Sequence, residues 1–312
     1  MPEGHTLYRL AADLGEAFVG RTVRASSPQG RFAASAALID GQVAVSAESA
    51  GKHLFVRFDN GWVLHVHLGL IGVFTIGPSP APPPVGAVRL RLEAESYADL
   101  RGAITCELID DDQMTAILLK LGPDPLRSDA DAPKVFARLR GSRKAIGALL
   151  MDQSVLAGVG NVYRAEALFR ARLHPLTPGA DVSRRRWNSL WADLVELMAE
   201  GVRTGRIDTV RPEHTPEVMG RQARVDDHGG EVYVYRRQGQ PCHVCGTTVR
   251  TQLLEGRNVF WCPRCQRRRS KPARTTDSSR RRNAGSEMAA RSDPEHEPSP
   301  RHREPGHRGA IA

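Results

Sequence analysis

Four cysteines constrain this chain more than any other residues. Cys242-x2-Cys245 is followed by 16 residues and then Cys262-x2-Cys265. Each pair brings two thiolates to one turn, and four thiolates at this spacing make a tetrahedral zinc site. Four sulfur ligands leave no open coordination position, so one structural Zn2+ per chain is expected. Between the pairs, residues 249–254, 255–258 and 259–261 read as strand, turn, strand. The metal would staple a β-hairpin whose tip carries Arg257. Cys106, the fifth cysteine, falls in a strand-like segment and reads as a small core residue.

Five cysteines in 312 residues do not make a disulfide scaffold. No run of 18 apolar residues is present, and the start, Met1-Pro2-Glu3-Gly4-His5, has neither a basic nor an apolar leader segment. These features predict a soluble, cytoplasmic chain with no membrane partner. The net charge is +9, but residues 266–312 alone carry 12 basic and 6 acidic side chains, which leaves +3 for the rest. Basicity is therefore largely a property of the tail, and any nucleic-acid reading must rest on placed residues. From Arg267 onward there is no Leu, Val, Phe, Trp or Tyr. That composition predicts a disordered, basic tail.

Hydrophobic periodicity organises the remainder. Leu7, Leu10, Ala11, Leu14 and Phe18 predict a helix over 6–18, capped by Thr6 and stopped at Gly20. Leu54, Val56 and Phe58 alternate, Asp59-Asn60-Gly61 turns, and residues 62–68 run back as a hairpin. Val88, Leu90 and Leu92 predict another strand and residues 103–109 a further one, with a proline-rich surface loop at 78–84. Leu121-Gly122-Pro123-Asp124-Pro125 reads as a hinge, and the chain beyond it as helical. Ile146, Leu149 and Leu150 share one face, and Val162, Ala165, Leu168 and Phe169 another. Trp187, Leu190, Trp191, Leu194 and Met198 form a long amphipathic helix capped by Ser183. Residues 206–230 are irregular. The expected architecture is α+β: a mainly β N-terminal region with a leading helix (1–122), a helical region (123–230), a four-cysteine zinc unit (231–268) and the tail (269–312).

Three further features carry chemistry. In Asp152-Gln153-x4-Gly158-Val159-Gly160-Asn161, two glycines precede a helix opened by Asn161, and a helix start with free N–H groups suits a phosphate. Removal of Met1 would expose Pro2, a secondary amine that can attack an aldehyde carbon to give an iminium, with Glu3 beside it to carry protons. Lys52 enters the first hairpin strand. His65 and His67 share a strand face and read as packing or hydrogen-bonding residues.

These features occur in the order found in the formamidopyrimidine-DNA glycosylase/endonuclease VIII family, and residues 2–268 resemble it, most closely its endonuclease VIII branch. The resemblance implies a bifunctional DNA glycosylase and AP lyase, built on an N-terminal β-sandwich (1–122), a helix–two-turn–helix DNA-binding domain (123–230) and a zinc finger (231–268), that acts on damaged DNA as a monomer. It implies Pro2 as the nucleophile at the sugar C1′, Glu3 as the acid/base that opens the deoxyribose and Lys52 as the essential lysine near the sugar. It also implies that Asn161 and Arg257 clamp phosphates around the everted nucleotide and that Leu70 fills the gap left in the duplex. His5 and Thr6 stand where many endonuclease VIII relatives have Pro and a second Glu. Oxidised pyrimidines are the expected substrates. The alternatives are the same chemistry on oxidised purines, or a non-catalytic zinc-dependent DNA-binding protein.

Overall fold

The computed structural model describes residues 2–225 and 230–268. The tail expected from residue 269 lies outside the described residues. No helix among them is long and apolar enough to cross a membrane.

The first helix, α1 (Gly4–Phe18), buries Leu7, Leu10, Ala11, Leu14 and Phe18, the stripe read from the sequence. It begins two residues earlier than Thr6, because Glu3 rather than Thr6 occupies the N-cap position. Eight strands then form a single ordered array: β1 (Thr22–Ser26), β2 (Gln42–Ala50), β3 (His53–Phe58), β4 (Val63–His67), β5 (Val73–Pro78), β6 (Val88–Glu93), β7 (Ser96–Arg101) and β8 (Thr105–Ile109). Their lateral order is β5-β7-β6-β1-β2-β3-β4-β8. The first residues of β1 pair with β2 and its last residues with β6. This one strand therefore passes between the two halves of the sandwich. The inner side chains, among them Leu54, Val56, Leu64, Val66, Leu90, Leu92 and Leu100, pack with α1 into one core. The predicted hairpin is β3–β4, with Phe55 opposite His65.

Two short helices in this region were not legible in the hydrophobic pattern. They are α2 (Ala33–Ile39) and α3 (Asp111–Leu118). The latter has a reciprocal cap in which Asp110 and Gln113 each bond the other's backbone N–H. Cys106 is half-buried at the edge of the sandwich core.

Beyond the hinge come α4 (Ala132–Arg140), α5 (Ile146–Leu149), α6 (Asn161–Arg170) and α7 (Arg184–Thr204), followed by the short α8 (Pro216–Met219). Ser183 caps α7 as expected, accepting from the Arg186 N–H. Helices α4 to α7 share a second core, which continues through Val232 to Tyr235 into Val249, Phe260 and Cys262. The hairpin is β9 (Arg250–Leu254) paired with β10 (Arg257–Trp261). Its turn is shorter than predicted. Glu255 and Gly256 both have positive φ, 46° and 76°, which matches the tight two-residue turn of a right-twisted hairpin. Arg257 therefore opens β10 opposite Leu254 and does not sit at the tip.

Candidate active site and metal centre

The start of the chain is threaded between the two cores. The Gly4 N–H donates to the Gly158 carbonyl at 2.8 Å. The Glu3 side chain, fully buried, reaches the start of α6. Its carboxylate accepts from the N–H groups of Gly160 (2.9 Å), Val162 (2.8 Å) and Tyr163 (3.3 Å). These are helix-start amides, which a carboxylate satisfies both as acceptor and as negative charge. Gly160 has to be glycine, since a Cβ there would lie 2.3 Å from the Glu3 carboxyl carbon. The close approach read in the glycines is thus real, but its partner is not a phosphate. Glu3 occupies the amides that the sequence had left for one.

Beside this anchor, Pro2, Lys52, Leu70, Asn161 and Arg257 line one open cleft of about 400 Å3, together with His67, Gln153 and Arg164. A second cavity of about 600 Å3 is lined by His5, Thr6, Leu10 and Phe74 among others, and it shares Pro2 and Leu70 with the first. Pro2 therefore stands on the wall between two spaces. Leu70 is 53% exposed, an apolar side chain left in water at the rim of both.

Lys52 is set by its turn. Asp124, from the hinge, accepts from the Gly51 N–H at 2.7 Å and from Leu126 at 3.0 Å. Burial pushes the Asp124 carboxyl above the usual range, against the pull of those two N–H groups. Burial also holds the Lys52 amine below the usual lysine range; Glu3 opposes this shift, and Arg257 and Arg164 add to it. A lowered pKa raises the fraction of the amine that is unprotonated, and so free to take a proton, at neutral pH.

Arg164 was not singled out in the sequence. It lies one turn after Asn161, 1% exposed. Its guanidinium bonds the Asn161 side-chain oxygen, the Gly147 carbonyl (3.2 Å) and the Asn258 carbonyl (2.9 Å). It thereby ties α6 to β10 and brings Asn161 and Arg257 to the same cleft. Its Nε makes no hydrogen bond among the described residues, and burial lowers its pKa to about 10. A lone Arg among apolar neighbours in Val162-Tyr163-Arg164-Ala165 was the signal that could have found it.

Glu166, also missed, is fully buried two residues further on. It accepts from the N–H groups of Tyr233, Val234 and Tyr235 and from the Thr209 hydroxyl, at 2.7 to 2.9 Å. These bonds fix the segment that leads into the four cysteines. The sulfurs of Cys242, Cys245, Cys262 and Cys265 lie within 4.8 Å of one another. Thiolates around one zinc stand roughly 3.8 Å apart, given Zn–S of about 2.3 Å, so the donor set fits one tetrahedral ion. Cys242 and Cys262 are buried while their partners are half-buried, as expected for a closed structural site.

Three family models match in succession: the formamidopyrimidine-DNA glycosylase N-terminal domain over residues 1–106, the formamidopyrimidine-DNA glycosylase H2TH domain over 121–212, and the zinc finger found in FPG and IleRS over 239–268. Endonuclease 8 1 of Mycobacterium tuberculosis is 52% identical over 271 residues, covering 85% of this chain and all of the relative. The chain belongs to the formamidopyrimidine-DNA glycosylase/endonuclease VIII family. As a member it is a bifunctional DNA glycosylase and AP lyase of base excision repair with one structural zinc. Formamidopyrimidine-DNA glycosylases of Roseiflexus sp. and Thermus thermophilus are more distant, 34% and 33% identical over 69% and 74% of this chain and 78% and 85% of their own. The family fold is shared with the Lactococcus lactis Fpg solved in complex with abasic-site DNA, with a TM-score of 0.70 at 24% identity over 85% of this chain and all of that one.

Proposed function

We propose that this family member removes oxidised pyrimidines and cuts the strand through the amine of Pro2. The observation that carries the reading is that Pro2, Lys52, Asn161 and Arg257 line one cleft, with the buried Glu3 carboxylate held at the helix start that carries Asn161. The 52% identity to an endonuclease 8, against 33–34% to formamidopyrimidine-DNA glycosylases, supports the pyrimidine preference.

A base inside the stack is out of reach, so it must be everted at a cost of a few kcal/mol. Asn161 and Arg257 grip the phosphates that flank it, and Leu70 enters the gap. The Pro2 nitrogen attacks C1′, the glycosidic bond breaks towards the base, and Glu3 passes the proton that opens the sugar. The resulting iminium draws electrons from C2′. A proton leaves that carbon, with Lys52 beside the sugar, and the 3′ phosphate departs by β-elimination; loss of a second proton, from C4′, then expels the 5′ phosphate by δ-elimination. The division of labour follows residues 1–122 for chemistry, 123–230 for the helix–two-turn–helix grip, and 231–268 for the zinc-held hairpin. The enzyme acts as a monomer in the cytoplasm, at the nucleoid.

Borohydride reduction of the reacting complex tests the assignment. The expected result is one covalent DNA–protein adduct that mass spectrometry maps to Pro2, and no adduct when Met1 is retained, because the amine is then an amide. An adduct on Lys52 with Pro2 free would overturn it.

A further inference from the structure

Two turns at one end of the sandwich carry no polar side chain. Residues 68–72 join β4 to β5, and residues 102–104 join β7 to β8. The Ile104 N–H donates to the His67 carbonyl at 3.0 Å, where β4 and β8 pair, and β5 leaves the first turn alongside β7. Leu68 and Ala103 anchor the two turns in the sandwich core. The larger side chains that remain stand in water: Leu70 is 53%, Ile71 79% and Ile104 69% exposed.

The exposed side chains are built as one piece. A Cβ at Gly69 would lie 2.3 Å from the Ile104 Cδ1, and one at Gly102 3.6 Å from the Ile71 Cγ1. Each turn thus lays an isoleucine over the glycine of the other. A contiguous exposed apolar surface marks a face that something covers. Leu70 and Ile104 line the cleft that holds Pro2, Lys52, Asn161 and Arg257, while Leu70 and Ile71 line the second cavity, which also reaches Pro2. The occupant of this face is therefore the DNA bound in that cleft.

Eversion of a base leaves its partner on the other strand unpaired, with its hydrogen-bonding edge open. Reading that edge takes a donor or an acceptor, and a good bidentate pair discriminates between bases by roughly five- to 150-fold. Leucine and isoleucine have neither. Two polar side chains close by are already committed. Arg101, which ends β7, donates to the Asp99 carboxylate and the Val85 carbonyl, each at 2.9 Å. Gln153, in the cleft lining, donates to the Met151 and Val159 carbonyls and accepts from the Gly158 N–H. An aliphatic surface fills space by contact alone, and every base offers a face to it.

We propose that Leu70, Ile71 and Ile104 form a single aliphatic wedge that fills the gap in the duplex without reading the partner base, so that this enzyme is indifferent to the base opposite the lesion. This rests on the reading of Leu70 as the residue that enters the gap.

Equilibrium binding of the full chain to duplexes with a tetrahydrofuran abasic analogue opposite A, C, G or T tests it. The analogue has no base, so pairing strength at the lesion is the same in all four. The four dissociation constants should agree within about threefold, and a preference of tenfold or more for one partner would overturn the proposal. In Ile71→Ala/Ile104→Ala the advantage of duplex over single-stranded DNA carrying the same analogue should shrink about tenfold. An equal loss on both forms would mean that the isoleucines only support the fold, and would overturn the wedge. Leu70→Ala separates the two readings. If it weakens duplex binding while the parent shows a strong partner preference, the indifference alone fails; if it binds like the parent, the gap-filling reading of Leu70 fails and takes the proposal with it.

Discussion

One helix, α6, carries the same device twice. At its start, Glu3 collects three backbone N–H groups; in its middle, Glu166 collects three more and a hydroxyl. Both carboxylates are fully buried. Their surroundings differ. Around Glu166 the groups are matched, and the joint is closed by Phe169 stacked on Tyr233 at 4.5 Å. Around Glu3 stand a half-buried lysine, an arginine with an unpartnered Nε and an open cleft. A buried carboxylate whose neighbours are satisfied holds a fold together. The same carboxylate among unpaired cations holds a site ready for an anion, at some cost in stability.

The sharpest way to break this comparison is Glu3→Gln. Base excision should fall by about 10²- to 10⁴-fold, the range for a lost proton carrier, and by much less on a preformed abasic site, whose sugar already samples the open aldehyde. Single-turnover assays on the two substrates decide it, and equal losses on both would remove Glu3 from the excision step. Glu166→Gln should instead act on stability. It puts an amide against a cage of donors and should cost roughly 3–5 kcal/mol in urea unfolding, with single-turnover excision by the remaining folded, zinc-loaded enzyme close to that of the parent.

Lys52→Met should separate the two regions by sign. The folded chain holds this amine below its unfolded pKa, so the fold binds its proton more weakly than the unfolded chain does. That penalty is complete at pH values below the folded pKa and disappears as pH rises through the unfolded value, near ~10.4. The variant should therefore melt a few degrees higher at neutral pH, with the gain shrinking towards pH ~10, while incision is lost. Calorimetry across that range checks it; a gain that grew with pH would contradict the shift. The smallest effect is expected for Arg257→Ala, whose DNA affinity should show a salt dependence shallower by about one unit. An unchanged slope would mean Arg257 touches no phosphate.

How much was legible follows from what each signal depends on. Period and ligand spacing are local, so α1, the β3–β4 hairpin, α7 and the four-cysteine finger are visible in the chain itself. The shared cleft of Pro2, Lys52, Asn161 and Arg257 came through family resemblance, since no local pattern links residues that far apart. Arg164 and Glu166 were hidden for the opposite reason. Charged residues on a helix ordinarily face water, and only packing against β10 and the segment before the finger turns them inward. The two-residue turn at Glu255–Gly256 was missed because a non-glycine residue occupies its first left-handed position. The tail falls outside the described residues.

The contact between Glu3 and Gly160 joins residues 157 positions apart in the chain. Closing so long a loop costs more entropy than local pairing, so this contact depends on the elements between its ends being in place. Pro2, the nucleophile proposed above, then lines its cleft only on a molecule whose sandwich and helical core are already built. A nascent or half-folded copy carries the same proline, but on a loose end, away from Glu3, Lys52, Asn161 and Arg257. On the proposed chemistry, long-range closure would work as an interlock: an aldehyde-reactive group armed by completion of the whole architecture.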